Sequence, residues 1–233
     1  MNKLTNETLN KLYALADPSQ QEFLKKMVPS QKTVLGIKAV HLREIIKDLR
    51  NKTSHLSSRE KIDLSVEFIQ TNVHEMGQIA YEFVGKDKQL LAAISKADIV
   101  QMNYQLDNWA SVDTFGVFIH GKAWRMGVIN DEDLMQMVHH EDFWQRRLAV
   151  VSTVPLNQKS NGGKGDPART LLICNEVVSD YADLVVKALS WALRELSKRE
   201  PLLVNEFIEK NKAKLHKRVL REVNNKLTFG TKN

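Results

Sequence analysis

The sequence predicts an all-α protein of short helices stacked as hairpins, on three observations. Apolar residues recur at helical spacing along nearly the whole chain, and no stretch shows the strict alternation of a strand. Only five prolines and ten glycines punctuate 233 residues, so helix breakers are few. The connections between the periodic segments are a few residues long, which favours antiparallel neighbours. A chain of this length with 42% hydrophobic residues can bury a substantial core, so one repeat domain over residues 1–233 is expected.

Each element carries its own signal. Thr5 can cap a first helix running to about Leu15, and Asp17-Pro18 opens a second that carries Phe23, Leu24 and Met27. Residues 29–38 read as a basic, glycine-containing connector, followed by a helix over 40–49 with Lys38, Arg43 and Lys47 near its edge. Ser57 with Glu60 three residues on is a capping box for a helix through Gln70. Helices follow over about 73–84, 87–94 and 96–104, and Asp107 or Asn108 caps the next. Asp131, Glu132 and Asp133 place acid in the first turn of another helix, and Asp142 opens one to Val154. Residues 157–166, with Gly162, Gly163 and Gly165 among Lys159 and Lys164, read as a flexible basic linker. Pro167 begins a helix to about Val178, Asp180 or Asp183 one to Lys198, and Pro201 another. A last helix, over about 213–224, is rich in Lys and Arg. Trp109, Trp144 and Trp191 recur at intervals of 35 and 47 residues, which brackets the length of a HEAT-type helical repeat. Stacks of such repeats curve into a solenoid whose concave face is lined by the second helix of each pair.

Composition narrows the function. Lys and Arg outnumber Asp and Glu by 34 to 28, and the net charge of +6 favours a polyanionic partner such as nucleic acid. The single cysteine, Cys174, excludes an internal disulfide and fits a reducing cytoplasm. Residues 1–16 lack the apolar core of a signal peptide, and no run approaches membrane-spanning length, so a soluble cytoplasmic protein is expected. His139 and His140 are adjacent and diverge on a helix, and no His-x-x-x-His or Cys-x-x-Cys pair occurs, so no metal is expected. Gly162-Gly163-Lys164-Gly165 lacks the preceding strand and the Lys-Ser/Thr ending of a phosphate loop. No Gly-x-Ser-x-Gly elbow points to a hydrolase of that type.

Three helices carry groups that plain packing would not choose. Trp109 and Asp113 are four apart and lie on one helical face, with Gly116 leaving open space beside the carboxylate. This is either an N-cap or ion-paired Asp next to a core Trp, or a reactive pair. Lys187, Trp191, Arg194 and Lys198 fall nearly opposite the apolar stripe of Val185, Leu189, Ala192 and Leu196. That Trp belongs either to a second packing surface or to a stacking platform ringed by phosphate-binding cations. Arg147 shares its face with Trp144 and Val151 and needs an anion, either a carboxylate of the adjacent repeat or a nucleic-acid phosphate.

Taken in order, several segments resemble one family. Leu35-Gly36-Ile37-Lys38 with Leu42-Arg43, Asn108-Trp109 through Asp113, Phe143-Trp144-Gln145-Arg146-Arg147, and Lys187-Ala188 through Trp191 to Glu195 are similar to the AlkD-type DNA alkylation repair enzymes. These are alkylpurine DNA glycosylases built of HEAT-like repeats. The resemblance spans essentially the whole chain. It implies excision of cationic N3- or N7-alkylated purines from duplex DNA held in the concave face, without a conventional base-flipping pocket. By position, Trp109, Asp113 and Trp191 match the family's catalytic set, and Arg147 matches its DNA-backbone arginine. The expected DNA-binding residues are Arg147, Lys187, Arg194, Lys38 and Arg43. No metal or organic cofactor is implied, and a monomer acting without strand cleavage is expected. One departure is Ala110, where many relatives carry an acid directly after the first Trp. Two other functions fit the same residues. One is a non-catalytic binder of damaged or branched DNA. The other is a protein-interaction scaffold in which the tryptophans only pack.

Overall fold

The structure is a computed structural model that describes residues 2–233, organised as two compact units that meet in sequence at Ile119 and His120. Among the described residues no strand forms; Thr33 and Val73 make an isolated parallel bridge. No helix is long and apolar enough to cross a membrane. The all-α helical-repeat architecture is the one the sequence predicts.

The first unit runs α1 (Lys3–Ala14), α2 (Pro18–Met27), α3 (Ala39–Lys52), α4 (Ser58–Gln70), α5 (His74–Gly85), α6 (Lys88–Ala93), α7 (Lys96–Met102) and α8 (Trp109–Phe115). Side-chain caps start most of them. Asp17 accepts from the Ser19 and Gln20 amides, and Ser57 with Glu60 forms the expected capping box. Asn2, rather than Thr5, caps α1, and Thr5 is buried inside the helix instead. The core gathers on α5, whose Met76, Ile79, Ala80, Tyr81, Phe83 and Val84 are all buried against neighbouring helices. Tyr81 donates to the Met102 carbonyl at 3.1 Å, and its ring lies 5.2 Å from that of Phe115. Gly85 admits the backbone after α8: a Cβ there would fall 2.4 Å from the Phe118 carbonyl oxygen. Beyond Phe115 the helix widens into a π turn over Gly116–His120.

The connector over 29–38 is structural as well as basic. Glu75, buried at the start of α5, accepts from the amides of Leu35 at 3.0 Å, Gly36 at 2.9 Å and Ile37 at 3.4 Å. Gly36 has φ +79°, and a Cβ there would meet the Gln21 amide nitrogen at 2.4 Å and the Asp17 carbonyl oxygen at 2.7 Å. The glycine therefore lets the connector touch α2 while its amides hold a buried carboxylate.

The second unit runs α9 (Gly121–Arg125), α10 (Asp131–Val138), α11 (Phe143–Val151), α12 (Val154–Asn157), α13 (Pro167–Glu176), α14 (Asp183–Leu196), α15 (Pro201–Asn211) and α16 (Lys217–Phe229). Its central helix is α14, packed on α11, α13 and α16 and buried along Val185, Ala188, Leu189, Ala192, Leu193 and Leu196. Trp124 is the largest buried side chain; its indole donates to Asp131 at 2.8 Å, under the Arg169 guanidinium. The helix expected to reach Val154 stops at Val151. Ser152 and Thr153 turn their hydroxyls back to the Leu148 and Val150 carbonyls, and Pro155 has no amide to continue the ladder. Residues 157–166 are tied down at several points. Arg199 donates to the carbonyls of Asn157 and Gly163 at 2.7 and 2.6 Å, and Arg125 to those of Pro155 and Asn161 at 2.9 and 3.1 Å. The last helix begins at Lys217, because His216 caps it, and ends where Gly230 turns to φ +74°. Cys174 is buried, and its thiol pKa is pushed up to about 12, so it is inert.

Candidate functional site

In the first unit the candidate groups are organised by α8. Asn108 is its cap, accepting from the Ser111 amide at 2.9 Å. Asp107, the alternative cap, instead anchors the connector: it accepts from the Ser30 hydroxyl at 2.8 Å, the Gln31 amide at 2.6 Å and the Asn108 side chain at 2.9 Å. Burial works against its ionisation, but these hydrogen bonds outweigh burial and hold its carboxyl below the usual range. Trp109 is the first helical residue. Its indole N–H donates to the Met27 carbonyl at the end of α2 at 2.9 Å, while 36% of the residue stays exposed. The ring is thus fixed by its edge and open elsewhere. One turn on, Asp113 is half-buried on the same side of the helix, with Ser111, Val112 and Phe115 buried. A held indole and a carboxylate therefore share the open face of one short helix.

Beneath that helix lies a polar cluster that sequence reasoning missed. Lys32, only 8% exposed, borders a cavity of about 310 Å³ with Gln31, Asn72, Gln105, Leu106 and Asp107. Burial holds its ammonium below the ordinary lysine value, against the pull of Asp107. Burial likewise lowers His74, whose Nδ1 lies 3.4 Å from the Ser111 hydroxyl. The sequence signal for Lys32 was no more than a lysine within residues 29–38, which read as a basic, glycine-containing connector. Lys38 and Arg43 are exposed, the first at the N-cap of α3 and the second on its first turns.

In the second unit the candidates sit on α11 and α14. Arg147 is 5% exposed, and its Nη1 donates to the Leu184 carbonyl at the start of α14. Its neighbour Arg146 meets a carboxylate, Asp180, at 2.7 Å, and donates to the His140 and Glu141 carbonyls. On α14, beyond Asp183 and Leu184 at its start, Lys187, Trp191 and Arg194 are the residues that escape burial, as the stripe pattern predicts. Lys187 pairs with Asp183 at 2.7 Å and Lys198 with Glu195 at 2.7 Å. Arg194 reaches the Ser190 hydroxyl at 3.3 Å; burial lowers its pKa, so an anion near it gains from weak solvent screening. Among the described residues no three His, Cys, Asp or Glu side chains are gathered as metal ligands. Chemically, α8 of the first unit offers a carboxylate and an indole face, and α14 of the second offers an indole face and a set of cations.

The family model for DNA alkylation repair enzymes matches residues 8–227. Among solved structures, the fold is similar to that of a protein from Enterococcus faecalis described as a "predicted DNA alkylation repair enzyme". The TM-score is 0.69 over 91% of this chain and 95% of that one, at 19% identity, a level at which the likeness shows the fold alone. No curated protein matches.

Proposed function

The chain belongs to the family of DNA alkylation repair enzymes, and from that premise we propose that it is a monofunctional DNA glycosylase, removing N3- and N7-alkylated purines from duplex DNA. The observation that carries this reading is the pairing of Asp113 with an edge-anchored Trp109 on the open face of α8. An N7- or N3-alkylpurine already carries positive charge, so the base leaves without a strong general acid. The N–C1′ bond breaks with its electron pair passing to the purine, which becomes neutral. Positive charge then builds on the sugar, as in glycoside hydrolysis.

Asp113 stabilises that charge and orients the attacking water, whose oxygen bonds C1′ while its proton passes to the carboxylate or to solvent. One such preorganised group lowers the barrier by about 3–4 kcal/mol. Trp109 and Trp191 offer indole faces to the cationic lesion, worth roughly 0.5–2 kcal/mol each as cation–π contacts. Arg147, Lys187, Arg194, Lys38 and Arg43 hold the backbone. Nothing in this chemistry calls for a cofactor, and no strand break accompanies it.

The test is to incubate the protein with methylated duplex DNA and identify what leaves. The expected products are free N7-methylguanine and N3-methyladenine, with an intact strand that breaks only on alkaline treatment. Loss of the methyl group alone, with the base retained, would make the protein a dealkylating enzyme and end the glycosylase reading.

A further inference from the structure

Where α14 packs on α16, one buried carboxylate sits among four cations. Glu222 is 4% exposed, and its Oε2 accepts the Ser190 hydroxyl at 2.6 Å. Around it stand Lys232 at 3.6 Å, Arg218 at 3.8 Å, and Arg194 and Arg221 at 3.9 Å. Lys232 reaches it because the chain doubles back after α16: Gly230 takes φ +74° and Asn225 donates to the Lys232 carbonyl at 3.4 Å.

Those separations are too long for hydrogen bonds, so the field of Glu222 holds the cations while their N–H groups stay largely uncommitted. The Arg221 guanidinium stands 3.9 Å from Glu222, beyond hydrogen-bond reach, and its side chain is 67% exposed. Arg218 gives one nitrogen to Asp183 at 2.8 Å, and Asp183 also pairs with Lys187. Five cations (Lys187, Arg194, Arg218, Arg221 and Lys232) thus stand around Glu222 and Asp183, with Glu195 also acting on Arg194, on and beside the helix that carries Trp191. Folding alone gives no reason to collect a surplus of like charge around a group that one arginine could satisfy. A polyanion does, since guanidinium forks bind phosphate oxygens in pairs.

We propose that Glu222 is a positioning residue that gathers Arg194, Arg218, Arg221 and Lys232 into a receptor for phosphodiester groups of a DNA strand. The inference rests on the DNA reading above and extends the binding surface to the last helix.

The sign of one substitution tests it. If Glu222 merely dilutes the positive charge of this face, Glu222→Gln tightens DNA binding, because it removes a negative charge. If Glu222 gathers the cations, the same change weakens binding although the protein becomes more positive. We would titrate a fluorescent, undamaged duplex against wild type, Glu222→Gln, Arg221→Ala and the equal-charge control Lys88→Ala on α6, from 50 to 200 mM salt. The expected results are about tenfold weaker binding by Glu222→Gln and a salt slope lower by about 0.9 in Arg221→Ala, one phosphate contact's worth, with Lys88→Ala unchanged. Arg221 is exposed, so its variant decides the matter even if Glu222→Gln proves unstable. Tighter binding by Glu222→Gln, or an Arg221→Ala slope equal to wild type's, overturns the proposal while leaving the DNA reading intact. Wild type that binds no duplex at any salt overturns both.

Discussion

His120 is fully buried, and burial holds its imidazole pKa down to about 4. Its Nδ1 lies 2.8 Å from the Ser152 hydroxyl, whose own proton goes to the Leu148 carbonyl at 2.6 Å. In the unfolded chain the same imidazole takes a proton near pH 6.5. Between those two values the unfolded state binds more protons, so stability falls as pH drops through the window, by about 3 kcal/mol from this group alone. Above pH 6.5 the contribution is complete. Urea denaturation at pH 7.5 and 4.5 should show wild type losing that much more than His120→Asn, and equal losses would mean the site is not as dry as it looks.

The connector and α2 show how an element can depend on a few atoms. Glu75→Ala leaves three buried amides without an acceptor and should cost about 3 kcal/mol or more. Gly36→Ala, which meets backbone on two sides at positive φ, should cost at least as much; a urea midpoint within error of wild type would refute either. No residue of α2 is buried, so the Trp109 indole N–H to the Met27 carbonyl is one of its few tethers. Trp109→Phe keeps an aromatic face and loses that tether. Amide exchange over residues 18–27 should then speed up while the rest of the unit is unchanged. Local signals made the helices legible: the Ser57 capping box, Asp17-Pro18 and the Asn108 cap all lie next to what they control. So was the Trp109–Asp113 face, which follows from spacing. Glu75 reaching back forty residues, Lys32 beneath α8 and the stop at Ser152-Thr153 depend on tertiary neighbours or competing hydroxyls, and no window of sequence contains them. Glu222 was equally hidden, one acid in a helix that read simply as basic.

At the scale of the whole molecule, a net charge of +6 and family membership point to duplex DNA as the partner. Binding through about six phosphates should weaken roughly 10³-fold or more between 50 and 200 mM salt, and a salt-independent affinity would contradict that picture. In the proposed mechanism the charge sets how DNA is held, and Asp113 what is done to it. The most direct measurement is the single-turnover release of N7-methylguanine from methylated duplex by wild type and by Asp113→Asn, both checked for folding by circular dichroism. The account predicts release by wild type and a loss of about 10²–10³-fold in the folded variant. Equal release by both would contradict the catalytic assignment, and release by neither, with salt-dependent binding kept, would mean the scaffold recognises DNA without acting on it.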